Sequence, residues 1–285
     1  MLLFGSDCAA KTTLQHNKNL SYTSLTCVAE VFVVGLTVDN SNNIHCLCDK
    51  LQVMRVEPYQ VGSVVHVVKR GARGGAIVFD NADRWRFTRT LYILNDEYQN
   101  NEWTRYSQSG IFTRPEHWPA RDSLVSVLAW VLLDNHFHLL LQVNKDYGLS
   151  KFMQRLGGSM TTYANEKYAQ TGSLFQGSYR SRTVDNDHYL QYLVLYIAVK
   201  NVLEMHPRGF QYAVENFAES WKWAQTYPFS SFQTLADSRQ SPIIDMEACR
   251  ALGLYNQDNF IAAKNMVESY NERQLLPPEI LLEKW

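Results

Sequence analysis

The sequence has few cysteines, and their arrangement argues against one class of protein. Five cysteines occur in 285 residues. Four of them, Cys8, Cys27, Cys46 and Cys48, fall in the first fifty residues, and the fifth is Cys249. The odd total and the absence of a Cys-x-x-Cys pair argue against a secreted framework of disulfide bonds.

The sequence also lacks an apolar run long enough to cross a membrane. The best candidate near the N-terminus, residues 28–38, carries Glu30 and is far shorter than the ~20 residues that a bilayer requires. This run begins late and follows no concentrated basic segment, so a signal peptide is not expected. We therefore expect a cytoplasmic protein without a membrane partner.

A strong excess of either charge is missing as well. The net charge of −1 excludes a strongly basic protein, so a nucleic-acid surface must be a local patch. The hydrophobic share of 46% is sufficient for the core of one large domain or two small ones.

The stretch 126–143 is the centre of what the sequence does contain. Two apolar, β-prone runs flank Asp134-Asn135, a dipeptide that tolerates the left-handed backbone of a tight turn. His136 opens the second run and His138 follows, so strand alternation places both imidazoles on one face of a hairpin. Adjacent imidazoles suit a divalent metal ion, although two such histidines by themselves serve in packing as often as in ligation.

The pattern of apolar residues predicts an α+β domain with a ferredoxin-like or RRM-like antiparallel sheet. The His-x-His motif is expected on a central strand. The predicted strands cover residues 63–70, 125–133, 136–143 and 174–184. The predicted helices cover residues 83–98, 149–168 and 187–203, and we expect them to pack on one face of the sheet.

The first fifty residues show no sustained helical or strand period. They are either a small extension with a weak strand near 31–38, or sequence that precedes a natural start at Met54. The second interpretation is favoured because organised patterning begins directly after Met54. N-terminal sequencing of the natively expressed protein tests it, and a mature chain beginning at Met1 would contradict it. The expected organisation is a poorly ordered extension (1–53), a main α+β domain (54–235) and a helical tail (236–285).

Two further features lie within predicted strands and helices. His66 alternates with valines in the first predicted strand and is taken as a core or sheet-face residue. Gly157-Gly158 interrupts a predicted helix, which indicates either close approach of another backbone or ligand, or a tolerated weak spot.

Basic and aromatic residues interleave between residues 149 and 183. The basic residues are Lys151, Arg155, Lys167, Arg180 and Arg182, with Glu166 as the single acid. The aromatic residues are Phe152, Tyr163, Tyr168, Phe175 and Tyr179. Basic side chains follow phosphates and aromatic rings stack on unpaired bases, as single-stranded nucleic acid requires. The glycine-rich loop around Arg73 lacks the context of a phosphate-binding P-loop, and we expect its arginines to contact a phosphate backbone.

Four segments in order resemble one family. They are Asp-Asn-His-Phe-His-Leu-Leu at 134–140, Leu-Ser-Lys-Phe-Met-Gln-Arg-Leu-Gly at 149–157, Thr-Gly-Ser-Leu-Phe-Gln-Gly-Ser-Tyr-Arg-Ser at 171–181, and Asp-His-Tyr-Leu-Gln-Tyr-Leu-Val-Leu-Tyr-Ile at 187–197. Together they resemble the REP-associated tyrosine transposases of the IS200-like type, which belong to the HUH single-strand DNA nucleases. The resemblance covers roughly residues 56–232.

The resemblance implies a metal-dependent nuclease. His136 and His138 would bind Mg²⁺ or Mn²⁺, and Tyr196 would be the nucleophile that forms a 5′-phosphotyrosine link. Tyr196 shares a helix face with Tyr189 and Tyr192, where packing is the usual role of a tyrosine. The family commonly has Asn or Gln four residues after the nucleophile, but this sequence has Lys200, followed by Asn201. A protonated lysine cannot coordinate a cation, so either Asn201 turns in as a ligand, another group or water fills the site, or Lys200 contacts the phosphate itself.

The sequence therefore predicts a hairpin-specific single-strand DNA endonuclease and strand transferase that acts in DNA transposition. Its partners would be single-stranded hairpins of inverted-repeat elements, and it would act as a monomer or a homodimer. The alternative is a regulator that binds hairpin DNA or RNA on the same fold without cutting it. The residues expected to contact DNA are Arg73, Lys151, Arg155, Phe175, Arg180, Arg182 and Lys200.

Overall fold

The structure is a computed structural model that describes residues 26–29, 32–38, 44–46, 59–100, 112, 116–237, 240–255 and 259–271. The chain divides into two compact units, Met1–Arg55 and Val56–Trp285. In the first unit, β1 (Thr26–Ala29), β2 (Phe32–Val38) and β3 (Ile44–Cys46) form an antiparallel sheet in that order. The weak strand predicted near 31–38 corresponds to β2.

The second unit is built on a four-stranded antiparallel sheet. Its strands are β4 (Val64–Arg70), β5 (Val125–Leu132), β6 (His136–Val143) and β7 (Arg180–Val184), in the spatial order β5-β6-β4-β7. Helix α1 (Asn81–Ile93) lies between β4 and β5 in the chain, and α2 (Gly148–Tyr168) lies between β6 and β7. This βαββαβ order confirms the predicted ferredoxin-like α+β fold, with the His-x-His motif on an inner strand.

The chain after β7 is helical. Helix α3 (Asp187–Leu195) continues through a π-helical turn (Tyr196–Lys200) into α4 (Asn201–Glu204). It is followed by α5 (Phe210–Glu215), α6 (Phe217–Ala224), α7 (Phe232–Asp237), α8 (Met246–Ala251) and α9 (Asn259–Asn271). Within the described residues, no helix combines the length and apolar character needed to cross a membrane.

Residues of the segment predicted as a C-terminal tail belong to the main hydrophobic core. Cys249 of α8 and both Ala263 and Val267 of α9 are fully buried in the same core as the sheet. The hydroxyl of Tyr255 donates to the carbonyl of Leu128 in β5 at 2.5 Å. The described part of this segment is therefore part of the folded unit rather than an appendage to it.

Helices cover both faces of the sheet. Phe87 of α1 packs against Phe137 with ring centroids 4.9 Å apart. Tyr196 packs against His138, the next residue of β6, and therefore lies on the opposite face. The predicted single helical layer holds for α1 and α2, but the segment from α3 to α4 forms a second layer. This segment is apolar around most of its circumference, with Leu193 and Ile197 among its fully buried residues, so it is covered on more than one side.

The last strand is shorter than predicted. The prediction began it at Leu174, whereas β7 begins at Arg180. Phe175 makes only an isolated bridge to Gly71, and Gly177 adopts φ 70°, a left-handed conformation that interrupts an extended strand. Most of the stretch from 100 to 121 lies outside the described residues.

The start of α1 is joined to the end of α2 through Asp83. Asp80 and Asp83 form a capping box at the start of α1. The Asp83 carboxylate also accepts hydrogen bonds from Lys167, Tyr168 and Tyr163 at 2.7, 2.7 and 3.1 Å. Burial raises the pKa of Asp83, but these donors and a backbone N–H outweigh burial and lower its pKa from 3.8 to about 2.

Asp83→Asn is expected to lower the free energy of unfolding by about 2 kcal/mol at pH 7, because a buried carboxylate loses charge-assisted hydrogen bonds. The folded-state pKa is depressed, so the contribution of Asp83 is fully present above its unfolded-state pKa and is lost as the pH falls through about 2. Urea unfolding at pH 7 and pH 3 measures this, with the difference between the proteins smaller at pH 3. A difference that does not change with pH would contradict the assignment.

The two adjacent glycines of α2 have different surroundings. A Cβ at Gly157 would lie 3.2 Å from Cε of Lys69, whereas a Cβ at Gly158 would have no neighbour within 4 Å. The close neighbour of Gly157 is therefore the side chain of Lys69 and not the predicted backbone, and Gly158 corresponds to the tolerated weak spot.

Gly158→Ala is expected to stabilise the protein by about 1 kcal/mol, because glycine costs roughly that much in a helix interior relative to alanine. Gly157→Ala is the matched control and should gain less, since the added methyl group displaces Lys69. Thermal unfolding of both variants compares them, and equal gains would show that contact with Lys69 has no cost.

Candidate active site

The turn between β5 and β6 is fixed by hydrogen bonds at each of its residues. The N–H of Leu133 donates to the carbonyl of His136 at 2.9 Å and closes the hairpin. The carbonyl of Asp134 accepts from the N–H of Ile77 at 2.7 Å, and its carboxylate pairs with Arg84 at 2.7 Å. The hairpin predicted from Asp134-Asn135 is therefore present, and it begins β6 at His136.

Asn135 orients His136. Its Nδ2 donates to the carbonyl of Gly74 at 3.3 Å, which directs Oδ1 to His136 Nδ1 at 2.6 Å. A carboxamide oxygen can only accept a hydrogen bond, so Nδ1 of His136 carries the proton and Nε2 carries the lone pair. Neutral imidazole with the lone pair on Nε2 is a form that binds metal ions.

The glycine-rich loop after β4 holds Asn135. The N–H of Gly71 donates to the carbonyl of Asn135 at 2.8 Å. A Cβ at Gly71 would lie 2.0 Å from the carbonyl oxygen of Gly75, so only glycine fits there. Arg73, in the middle of the loop, is exposed and has φ 56°. The loop thus places Arg73 on the surface near the hairpin turn and supports the residue that orients His136.

His138 is fully buried and lies between two other histidines. Its ring packs edge-on against His136 with centroids 5.0 Å apart. On its other side it stacks on His66 of β4 at 5.3 Å, and its Nδ1 is 3.0 Å from Nε2 of His66. The sequence interpretation of His66 as a core residue missed this contact, because only the register between β4 and β6 reveals it.

Tyr196 lies against the histidines from the helical layer. Its ring centroid is 6.0 Å from that of His138, with the two planes almost perpendicular. It begins the π-helical turn, and the N–H of Asn201 donates to its carbonyl across that turn. Such turns within helices occur frequently at functional sites. The structure therefore brings together the three residues that the resemblance named, His136, His138 and Tyr196.

The Tyr196 side chain is buried, with only 1% of its surface exposed. Tyr192 stacks nearly parallel to it at 6.3 Å, and Tyr270 of α9 lies 6.4 Å away. Burial raises the pKa of Tyr192 to about 12, and the neighbouring Tyr270 and Tyr189 add to the effect. Tyr192 is thus held in its neutral form beside Tyr196.

Lys200 lies inside the protein rather than on a DNA surface. It is 1% exposed, and its ammonium group pairs with Glu204 at 2.7 Å. The same group lies 4.8 Å from the Tyr196 ring centroid and 4.4 Å from that of Tyr270. Asn201 is fully buried, and its Oδ1 accepts a hydrogen bond from Lys200 at 3.4 Å. The direct phosphate contact expected of Lys200 is therefore not available in this arrangement.

The other residues expected to bind DNA fall into two groups. Lys151 and Arg155 belong to α2, on the sheet face opposite the histidines, where Lys151 pairs with Glu97 and Arg155 donates to the carbonyl of Asp96. Arg180 and Arg182 of β7 are partners of Val68 and His66 in β4, so they share the face of the histidines.

Phe175 does not present its ring for base stacking. It is 3% exposed and packs against Phe137 with ring centroids 6.0 Å apart, while the ammonium group of Lys69 covers it at 4.9 Å. The Phe175 ring therefore serves in packing against Phe137 and Lys69.

The residues at this site provide only some of the ligands that a divalent cation requires. In the described part of the chain, no cluster of three His, Cys, Asp or Glu side chains is arranged to hold a metal ion. The orientation of His136 suits ligation, and His138 lies beside it. Two imidazoles fit Mn²⁺ with water or phosphate oxygens as further ligands, whereas the ammonium group of Lys200 does not fit a ligand position.

A family model described as "Transposase IS200 like" matches residues 118–200. This segment contains His136, His138 and Tyr196 and ends at Lys200. The resemblance to the IS200-like transposases is thereby confirmed. The match supports a transposase function in general, without specifying the metal ion, the DNA structure or the nucleophile.

This chain also has a distant structural likeness. A solved structure of a REP-associated tyrosine transposase bound to a REP hairpin shares 14% sequence identity with it, and the likeness covers 66% of this chain and 88% of that one with a TM-score of 0.38. Likeness of this degree says nothing about the substrate of this chain. Among curated proteins, no relative matches the sequence.

Proposed function

We propose that this protein is a metal-dependent endonuclease and strand transferase that acts on single-stranded DNA hairpins, with Tyr196 as its nucleophile. The observation that carries the proposal is the contact between Tyr196 and His138, with ring centroids 6.0 Å apart across the boundary between helix and sheet. This contact supports the proposal because the residue that carries the hydroxyl group lies against one of the two imidazoles suited to a cation. The IS200-like match over the same residues supports this assignment.

The reaction is a transesterification at phosphorus. The Tyr196 oxygen attacks the scissile phosphate, a bond from that oxygen to phosphorus forms, and the bond from phosphorus to the 3′ oxygen breaks. The tyrosine proton passes to solvent, and the departing 3′ oxygen takes up a proton to leave a 3′-OH. Because the 5′-phosphotyrosine keeps the phosphodiester bond energy, a second 3′-OH reverses the step and joins two strands without a nucleotide cofactor.

Mg²⁺ or Mn²⁺ at His136 and His138 would draw charge from the phosphate and make phosphorus more electrophilic. Around it, the protein supplies orientation: Asn135 fixes the His136 tautomer, and the buried position of His138 excludes water from one side. Arg180 and Arg182, on the same face as the histidines, are proposed to follow the DNA backbone, and exposed Arg73 extends this surface at the hairpin turn.

Detection of a covalent adduct between the protein and DNA tests this proposal. The full chain is incubated with end-labelled single-stranded DNA hairpins from the inverted repeats that flank its gene, with Mn²⁺, and run on a denaturing gel. A labelled protein band that disappears when EDTA is added is the expected result. Hairpin binding without any adduct would overturn the nuclease assignment.

Two observations favour the non-cleaving hairpin-binding protein as the second candidate. Tyr196 is 1% exposed, and Lys200 occupies the position where the family commonly has a polar ligand. A binding protein would retain affinity for the hairpin when Tyr196 is replaced and would show no dependence on Mn²⁺.

A further inference from the structure

Two histidines form a buried pair in the centre of the sheet. His66 of β4 and His138 of β6 both have 0% exposed surface. Their rings stack at 5.3 Å with only 18° between the planes, and Nε2 of His66 is 3.0 Å from Nδ1 of His138. One ring therefore donates a hydrogen bond to the other.

The surroundings of His66 make packing alone a poor reason for its presence. Its neighbours in the strand, Val64, Val65, Val67 and Val68, are all buried. A valine at position 66 would meet the packing needs of such a strand equally well. A buried imidazole costs free energy unless its nitrogens find partners. The ring reaches diagonally across the strand pair to His138, since the direct partner of His66 in β6 is Leu140.

The direction of the hydrogen bond decides the form of His138. If Nε2 of His66 accepts, Nδ1 of His138 carries the proton and its Nε2 carries the lone pair, which is the same form that Asn135 imposes on His136. If His66 donates, the lone pair of His138 faces His66 and is lost to a cation. The two neighbouring imidazoles act together only in the first arrangement.

We propose that His66 is a positioning residue, which accepts the Nδ1 proton of His138 and holds its Nε2 ready for a divalent cation. This inference rests on the proposed function for the identity of the ligand at His136 and His138. Hydrogen-bond partners of this kind orient metal-binding histidines, and their loss typically weakens metal affinity by about 10–100-fold.

The first measurement is Mn²⁺ binding without DNA, followed by electron paramagnetic resonance. His66→Phe keeps a ring of similar size but cannot accept a hydrogen bond, and it should bind Mn²⁺ about 10–100-fold more weakly than the unmodified protein. His66→Gln restores an acceptor and should recover most of that loss. Equal affinity in all three proteins, with unchanged thermal unfolding, would overturn the proposal.

The second measurement does not require a variant to fold. Long-range ¹H–¹⁵N NMR of the unmodified protein, with His138 assigned, reports which ring nitrogen carries the proton. Protonation at Nδ1 is the expected result, and protonation at Nε2 overturns the role of His66. The outcome is separate from that of the adduct test, because a protein that never cleaves DNA still has one His138 tautomer.

Discussion

Tyr196→Phe is expected to abolish the covalent DNA adduct, lowering its rate of formation by about 10³-fold or more, because phenylalanine has no oxygen to attack phosphorus. The change removes a single atom from a ring packed between His138, Tyr192 and Tyr270, so the fold should persist. Hairpin affinity should be nearly unchanged. The rate is measured with end-labelled hairpin DNA on denaturing gels, and binding is measured separately by fluorescence anisotropy.

Tyr192→Phe is the matched control. Tyr192 stacks on Tyr196 on the same helix face, and burial raises its pKa to about 12. Its replacement should leave adduct formation within about twofold of the unmodified protein, as expected of a residue outside the reaction. If the adduct still forms in Tyr196→Phe but is lost in Tyr192→Phe, the nucleophile is Tyr192, one helical turn before Tyr196. Mass spectrometry of the adducted peptide distinguishes the two tyrosines directly.

The burial of Tyr196 has a consequence for any DNA cleavage. With 1% of its surface exposed, its side chain must be uncovered before a phosphate reaches it. The side chains that contact its ring include Tyr192 of the same helix, Tyr270 of α9 and Lys200. Exposure of the Tyr196 ring therefore requires these neighbouring side chains to change position.

Much of the site was predictable because it depends on local sequence. The turn at Asp134-Asn135 and the alternation of His136 and His138 are properties of adjacent residues, and both occur as predicted. The position of Tyr196 on a helix against the same sheet followed from the resemblance. The helical spacing of Tyr192 and Tyr196 also predicted their shared face.

The parts that could not be predicted depend on contacts between distant residues. His66 and His138 are 72 positions apart, and only the pairing of β4 with β6 brings them together. The buried state of Phe175 depends on Lys69 and Phe137 from two other strands. Lys200 and Glu204 have the spacing of a helical ion pair, but only tertiary packing shows that Lys200 is buried.

Lys200→Asn is expected to tighten Mn²⁺ binding by about tenfold or more, equivalent to about 1.4 kcal/mol. Lys200 places a positive charge 4.8 Å from the Tyr196 ring, which itself contacts His138, so this charge opposes a cation held by the histidines. Asparagine removes that charge and provides an oxygen that can ligate Mn²⁺. The cost to stability should be small, because its partner Glu204 is 37% exposed and remains hydrated. Titration of the DNA-free protein by electron paramagnetic resonance measures the affinity.

Lys200→Met separates the two effects of this change. Methionine removes the charge, fills a similar volume and offers no oxygen ligand, so its Mn²⁺ affinity should lie between those of the unmodified protein and Lys200→Asn. Equal affinities for the two variants would mean that charge alone sets the affinity and that position 200 does not reach the cation. If neither variant binds Mn²⁺ more tightly than the unmodified protein, the charge of Lys200 does not act on a cation at His136 and His138, because Glu204 neutralises it. The order of the three affinities thus determines whether Lys200 weakens cation binding at His136 and His138 or has no part in it.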